Sequence, residues 1–387
     1  MAWVPMCRGA EVMQPPSPRS LVDHFGSLKD PRVTGRTRHK LVDILVIAIC
    51  GVICGADDWS SIADFGKAKE TWFRGFLELP NGIPSHDTFG RTFSLLSPEA
   101  FRESFLCWIR SLTDVFEGLV AIDGKTLRRS HNRRDGTGAI HMVSAWASEN
   151  GLVLGQVKTE EKSNEITAIP ELLRALSING CLVTIDAMGC QKAIAKQIVE
   201  QGGDYLLALK GNQSKLADEV EAVFSAADSV GYHGYAVDYH ETKERNRGRH
   251  EIRRYWSLAA DELLVNAGAW TKINTIGMVE SERSVNGETS IEHRYYISSI
   301  TANAVEFARG VRGHWGIENG LHWVLDVALR EDDCRIRKGD APENMAILRH
   351  IAVNALKQEK TKKLGVKNKR LSAGWDETYL ARILCGM

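Results

Sequence analysis

The stretch GLVAIDGKTLRRS, residues 118–130, places a carboxylate and a run of cations directly after an apolar segment. Residues 120–122 are typical of a buried strand, and the Asp-Gly pair that follows is typical of a turn. One interpretation is a plain strand that ends at a turn. The other is that Asp123 holds a metal ion and that the cations after it, Lys125 and Arg128, face a polyanion.

Length and composition set the broad class of the protein. A chain of 387 residues is too long for one small core, so we expect two or three domains. With 43% hydrophobic and 25% charged residues, the composition is that of a globular protein. The formal net charge of zero argues against a chain coated in nucleic acid, but it leaves room for segregated basic surfaces.

Cysteine usage and hydropathy bear on the compartment. None of the eight cysteines forms a CxxC pair, which favours a reduced, cytoplasmic environment over a disulfide framework or a cysteine zinc site. The most apolar segment, residues 41–56, contains Asp43 and is shorter than the ~20 residues of a membrane span, so it predicts a buried helix. We find no signal peptide, and the Pro-rich residues 1–18 predict a flexible leader.

Periodicity divides the rest of the chain into four parts. Residues 19–115 read as an all-helical N-terminal domain, in which Ser85 would cap a helix that opens with HDTFGRTF. That helix would be either the second helix of a DNA-reading helix-turn-helix or a plain member of a bundle. Residues 116–230 alternate strands with helices and predict a mixed α/β sheet. Residues 231–302 predict a β-rich insertion, and residues 303–387 predict helices and a basic tail.

Two of the predicted strands end in an acid. Asp123 closes the first strand and Asp186 closes the fourth, and these two strands can lie side by side in an α/β sheet. Neighbouring carboxylates repel unless a cation lies between them, and Mg²⁺ prefers oxygen ligands. The late helix offers a third acid, Glu318, on one face with His314 and His322. The alternatives are the polar edge of an amphipathic helix and a His–Glu–His zinc site, which lacks the HExxH spacing.

Several motifs in order produce a family resemblance. The motifs are IDGKTLR, TIDAMGCQ, DYLLALKGNQ and RGHWGIENGLHWVLDVALRED, preceded by HFGSLKDPR, GADDWSSIADFG and IPSHDTFGR. This set resembles the DDE transposases of bacterial insertion sequences, and most closely the H-repeat-associated proteins of Rhs elements. The resemblance implies an RNase H-like catalytic core with a β-rich insertion between the second Asp and the Glu.

The resemblance also implies a mechanism and a set of site residues. Asp123, Asp186 and Glu318 would be the catalytic and metal-binding acids, holding two Mg²⁺ ions that Mn²⁺ can replace. Such an enzyme cuts the terminal inverted repeats of its element and joins the free 3′-OH to target DNA, as a homodimer in a synaptic complex, in the bacterial cytoplasm at the nucleoid and without a membrane. The predicted DNA contacts are Lys125, Arg128, Lys210, Arg247, Arg249, Arg312, His314 and His322.

One departure and three rival functions stay open. Related transposases carry a Tyr-Arg-Glu-Lys signature around the Glu, where this chain has Val311, His314 and Leu325 at the Tyr, Arg and Lys positions. The first rival is a catalytically silent remnant or DNA-binding regulator. The second is a nuclease that cuts without joining, and the third is a zinc hydrolase that uses His314, Glu318 and His322.

Overall fold

The computed structural model describes residues 19–385, apart from short gaps at 34, 36, 113–117, 132–135, 137, 160–164, 247–248, 261–262 and 286–287. The predicted leader at residues 1–18 and the predicted DNA contact Arg247 lie outside the described residues. For Arg249 the structure describes the backbone alone.

Helices fill the described part of the N-terminal region, as the sequence predicts. They are α1 (Arg19–Phe25), α2 (Leu41–Ile53), α3 (Trp59–Ala68), α4 (Glu70–Phe73), α5 (His86–Leu95) and α6 (Pro98–Leu112). The apolar run forms α2, which is buried along almost its whole length. Ser85 caps α5 as predicted, because its side chain accepts a hydrogen bond from the Thr88 N–H at 3.4 Å. None of the helices that the structure describes has the length and apolarity of a membrane-spanning segment.

The described chain then forms one nine-stranded sheet in the order β3-β2-β1-β4-β5-β9-β8-β7-β6. Its strands are β1 (Gly118–Thr126), β2 (His141–Ala147), β3 (Leu152–Lys158), β4 (Cys181–Ile185), β5 (Asp204–Leu209), β6 (Val237–Asn246), β7 (Arg249–Ala259), β8 (Thr275–Val285) and β9 (Glu288–Ser298). Helices α7 (Glu165–Ala175), α8 (Lys192–Glu200) and α9 (Ser214–Ser229) follow β3, β4 and β5.

The first five strands form an RNase H-like core. β1, β2 and β3 are antiparallel neighbours, and a turn that contains Asn150 and Gly151 joins β2 to β3. β4 lies parallel to β1, and β5 lies parallel to β4. Each of these parallel strands is reached through a helical crossover, α7 or α8, as parallel pairing requires. The fold class that the resemblance implied is therefore confirmed.

The β-rich insertion continues the core sheet. Its strands form two antiparallel pairs, β6–β7 and β8–β9, and the residues that link the strands of each pair lie outside the described part of the chain. β9 pairs antiparallel with β5, from Leu206 opposite Ser298 to Leu209 opposite Tyr295. The sequence predicts a segment that interrupts the α/β pattern. This segment does interrupt the order of strands and helices along the chain, but in the folded protein its strands extend the same sheet.

The C-terminal helices tie the N-terminal helices to the sheet. They are α10 (Ala304–Ile317), α11 (Trp323–Val327), α12 (Ala341–Gln358), α13 (Val366–Trp375) and α14 (Glu377–Cys385). Near the start of α12, the Asn344 amide donates to the Phe93 and Leu96 carbonyls, each at 2.8 Å. Near its end, Asn354 exchanges two hydrogen bonds with the backbone of Val153 in β3.

The predicted basic tail is partly buried. Lys369 donates to the Leu356 carbonyl at 3.0 Å, and Arg370 donates to the Val52 carbonyl at 2.8 Å and to Asp57 at 2.6 Å. Both cations lie inside the molecule, at 6% and 4% exposure. These two cations of the basic tail are therefore not available at the surface, because each charged group ends on backbone carbonyls or a carboxylate.

Candidate metal centre

The Asp123 strand does not end where the sequence predicts. β1 continues to Thr126, and Asp123 stands opposite Ser144 of β2, so the Asp-Gly pair is not a turn. What ends here is the pairing of β1 with β4, whose last partners are Ile122 and Ile185. Asp123 and Asp186 both come directly after that last pair. They therefore meet at the carboxyl edge of two parallel strands, as the sequence predicts.

A third acid, which sequence reasoning missed, completes this cluster. Glu165 is the first residue of α7, and one ligand atom each from Asp123, Glu165 and Asp186 lies within 4.8 Å of the other two. The Glu165 side chain is 11% exposed and the Asp123 side chain 20%. Among the described residues, this is the group of His, Cys, Asp and Glu side chains that converges closely enough to hold a metal ion.

The cluster changes the electrostatics of Asp123. Burial raises the pKa of Asp123 to about 7, and the neighbouring Glu165, Asp186 and Glu318 carboxylates add to the rise. The Gly124 N–H, which donates to Asp123 Oδ1 at 2.9 Å, opposes it. Asp186 is oriented by two N–H donors, from Met188 at 3.0 Å and Gly189 at 3.3 Å. Without a cation, these surroundings therefore favour the neutral form of Asp123.

Glu318 comes from a break in the late helix. A π-helical turn, Glu318–His322, separates α10 from α11, and such turns often occur at functional sites. Glu318 is exposed and lines the same pocket as Asp186, Lys210 and His314. The structure thus places Glu318, the predicted third acid, near Asp123 and Asp186 and next to the cluster that includes Glu165.

The two histidines of this helix face different partners. His314 Nδ1 lies 3.1 Å from Thr184 Oγ1, and burial lowers the pKa of His314. His322 Nδ1 lies 3.6 Å from Asp123 Oδ2, and burial lowers the pKa of His322 to about 4, so its ring is neutral at pH 7. His322 thus lies beside Asp123, which is not one of the three ligands of the zinc alternative.

Lys125 is the predicted DNA contact whose surroundings differ most from expectation. Its Nζ lies 2.7 Å from Asp326, 3.0 Å from Glu331 and 3.5 Å from Asp332, and its side chain is 12% exposed. Arg128 also approaches Asp332, at 3.3 Å, but its side chain is 77% exposed. The Lys125 charge is thus used within the chain, and this contact favours a structural role over the predicted one.

The remaining predicted cations lie nearer the pocket or on the surface. Lys210 is exposed directly after β5 and lines the pocket. Arg312 donates to Glu244 at 2.7 Å and is 41% exposed. Two residues after Lys210, the Asn212 amide donates to the Ala187 carbonyl at 2.6 Å and so stabilises the loop that follows Asp186. The DNA contacts of Lys210, Arg249 and Arg312 stay predictions.

Comparisons with known proteins agree on one family. The family described as "Transposase DDE domain" matches residues 115–355, and the family described as "DDE_Tnp_1-associated" matches residues 22–109. The "H repeat-associated putative transposase YhhI" of Escherichia coli (strain K12) is 43% identical over 376 residues, 95% of this chain and 98% of YhhI. The "Putative transposase YncI" of Escherichia coli O157:H7 is 43% identical over 371 residues, 95% of this chain and 94% of YncI.

A solved structure also aligns with most of the chain. It is the cryo-EM structure of the piggyBac transposase synaptic complex with hairpin DNA, at a TM-score of 0.44 and 10% sequence identity. The alignment covers 93% of this chain and 79% of that chain.

Proposed function

From the premise that this chain belongs to the DDE transposase family and is a DNA transposase, we propose that it cuts the ends of an insertion sequence and joins them to new DNA. Hydrolysis of a phosphodiester at each end would free a 3′-OH. That hydroxyl would then attack a target phosphodiester, form the new P–O bond and release the target strand's own 3′-oxygen.

The convergence of Asp123 and Asp186 at the edge of β1 and β4, with Glu318 beside them, carries this proposal. The donor chemistry fits divalent magnesium, because carboxylate oxygens are the ligands that Mg²⁺ prefers. The raised pKa of Asp123 supports the same fit, since a cation would remove the repulsion that favours its neutral form. We assign Asp123, Asp186 and Glu318 as the acids that hold two Mg²⁺ ions, with Mn²⁺ as a substitute.

The chain's own groups prepare these acids for that role. The Gly124 N–H fixes one oxygen of Asp123, and the Met188 and Gly189 N–H groups fix one oxygen of Asp186. When bound, a pair of divalent ions stabilises the charge that develops on the attacking and leaving oxygens of an in-line displacement. The Lys210 side chain, exposed at the pocket, would attract the phosphate.

DNA contacts and assembly are part of the same proposal. Arg128 and Arg312 have side chains that are 77% and 41% exposed, so they would neutralise phosphates and make binding fall as salt is raised. Two ends must be cut together, so we propose a homodimer that holds both terminal repeats.

The test is nicking of a duplex that carries the element's own ends, with Mg²⁺ and again with Mn²⁺. Wild type should cut. Asp186→Asn should lower the nicking rate by about 1,000-fold or more, because one of the two carboxylates at the edge of β1 and β4 loses its charge. The matched control is Asp218→Asn, which makes the same chemical change at an exposed position on α9 and should cut like wild type.

The rivals predict other results. Equal cutting by wild type and Asp186→Asn would remove the acids from the chemistry. Tight binding to the ends without cutting in either metal would identify a silent remnant or a regulator. Cutting without any joined product, when target DNA is supplied, would identify the nuclease.

A further inference from the structure

Glu165 lies among the acids of the proposed site although it is not one of the three that we assign there. Its carboxylate, that of Asp123 and that of Asp186 each offer an oxygen within 4.8 Å of the others. The side chain is 11% exposed, so little water screens its charge. A buried carboxylate beside two others is costly unless a cation or a proton compensates for it.

His141 fixes one oxygen of this carboxylate. His141 Nε2 lies 2.8 Å from Glu165 Oε1, and His141 Nδ1 lies 2.9 Å from Thr126 Oγ1. The ring is therefore held by β1 on one side and by α7 on the other. A carboxylate has two oxygens, so Glu165 keeps a second one beyond the His141 bond. Carboxylates that bind metals are commonly oriented in this way by a hydrogen-bond partner behind them.

The backbone next to Asp123 leaves room for this pair. A Cβ at Gly124 would stand 2.1 Å from Glu165 Oε1 and 2.3 Å from His141 Nε2. Because no side chain fits there, glycine after Asp123 lets Glu165 and His141 pack against β1. The Asp-Gly pair thus has a spatial reason in the middle of a strand, where no turn requires it.

We propose that Glu165 is a fourth carboxylate of the metal site, with His141 as its positioning residue. This inference rests on the proposed function, since it takes the metal site of Asp123 and Asp186 as given. It adds a ligand from α7, so that the site draws on β1, the end of β4, the π-helical turn and the start of α7. A purely structural Glu165 would hold His141 and the first turn of α7, and would leave metal affinity unchanged.

The experiment measures Mn²⁺ binding directly, by electron paramagnetic resonance of the free ion titrated into the full-length protein without DNA. Glu165→Gln keeps an acceptor for His141 but removes the charge, and it should weaken Mn²⁺ binding by about tenfold or more. His141→Gln should weaken binding by about tenfold while every acid remains, as outer partners of metal ligands do. The matched control is Glu200→Gln, an exposed position on α8, which should bind like wild type.

Melting in EDTA separates the two roles of Glu165. The melting temperature of metal-free Glu165→Gln should not fall below that of wild type, because the substitution relieves repulsion and keeps the His141 bond. If that variant fails to fold, Glu165→Asp provides the test. It keeps the charge, draws it back by one methylene, and should also weaken Mn²⁺ binding.

The outcomes distinguish this inference from the function it rests on. Wild-type Mn²⁺ affinity in folded Glu165→Gln, together with loss of binding in Asp186→Asn, would overturn the fourth carboxylate and leave the proposed function standing. No Mn²⁺ binding by wild type would overturn both. Weaker binding in Glu165→Gln and in His141→Gln, with Glu200→Gln unchanged, would support Glu165 as a ligand.

Discussion

The surroundings of the Asp123 carboxyl and its proposed role favour different protonation states. Burial and three nearby acids favour the neutral form and raise its pKa to about 7, whereas metal binding needs the charged form. A group whose pKa is raised on folding stabilises the native state at low pH, and this stabilisation is lost as pH rises through the folded pKa. For Asp123 the window runs from the ordinary value of 3.8 to about 7.

The first prediction at this scale follows from that sign. In EDTA, wild type should lose stability between pH 5 and pH 8 relative to Asp123→Asn, by about 2 kcal/mol. Urea unfolding of both proteins at the two pH values measures the difference. Adding Mn²⁺ at pH 8 should restore wild type and leave the variant unchanged. Parallel stability profiles for the two metal-free proteins would contradict the assignment of the raised pKa.

The sequence predicts two residues of the cluster and misses the third for a physical reason. Asp123 and Asp186 follow apolar strands, and parallel neighbours bring such positions together. Glu165 stands at the start of a helix, where an acid is favourable beside the helix dipole, so nothing local marks it as a ligand. Lys125 shows the opposite limit, because its acidic partners Asp326, Glu331 and Asp332 are some 200 residues away.

At the element scale, glycines let the late helix approach the sheet. A Cβ at Gly310 would stand 2.6 Å from Leu206, and one at Gly313 would stand 2.8 Å from Leu119. Gly320 lies inside the π-helical turn, and a Cβ there would stand 2.9 Å from the Trp146 ring. Trp146 is 2% exposed, so its rigid ring has little room to move. The position of Glu318 therefore depends on the absence of side chains on this face.

The second prediction is that Gly320→Ala pushes the turn away from β2. It should lower the nicking rate by about tenfold or more, and crowding should destabilise the fold by about 1 kcal/mol after the gain in helix propensity. Nicking assays and urea unfolding measure the two effects. Gly268→Ala is the control, since no atom lies within 4 Å of the added Cβ. Unchanged nicking by Gly320→Ala would show that the turn tolerates displacement.

Patterning predicts a β-rich insertion at residues 231–302 but not how it joins the core. Its strands pair locally as β6 with β7 and β8 with β9, both antiparallel. The pairing of β9 with β5 joins residues about 90 apart, from Leu206 with Ser298 to Leu209 with Tyr295. Strand propensity does not identify which distant strand will be the partner. The continuous sheet can therefore be recognised only from the three-dimensional structure.

For the whole molecule, buried polar contacts join the N-terminal helices to the sheet. Asn344 and Asn354, at the two ends of α12, bond the backbone near α5 and that of β3. Arg370 reaches the Val52 carbonyl at the end of α2, Asp57 in the loop after it, and the Ala328 carbonyl beside α11. The N-terminal helices share one hydrophobic core with the sheet, although periodicity predicts a separate domain for them.

The third prediction follows from the burial of Arg370. Arg370→Ala would remove the guanidinium that donates to Asp57 and to the Val52 and Ala328 carbonyls, and should destabilise the protein by about 3 kcal/mol. Urea unfolding measures this loss. Lys367→Ala, on the exposed side of the same helix, should change stability by less than about 0.5 kcal/mol. Equal stability of the two variants would mean that the front helices do not depend on this contact.

The π-helical turn at Glu318–His322 bears on what a one-residue deletion in a related protein would do to this helix. Such a turn is one residue longer than the α-helical turn it replaces, so losing one residue from it would still leave an unbroken helix. Because a π-helical turn spans about the same rotation as the α-helical turn it replaces, the helix beyond the deletion would keep its orientation. With the glycine face anchored on the sheet, the downstream contacts of α11 would keep their register. A relative that differs by a single gap here would therefore present the same face of α11 to the core, and only the turn that carries the acid would change.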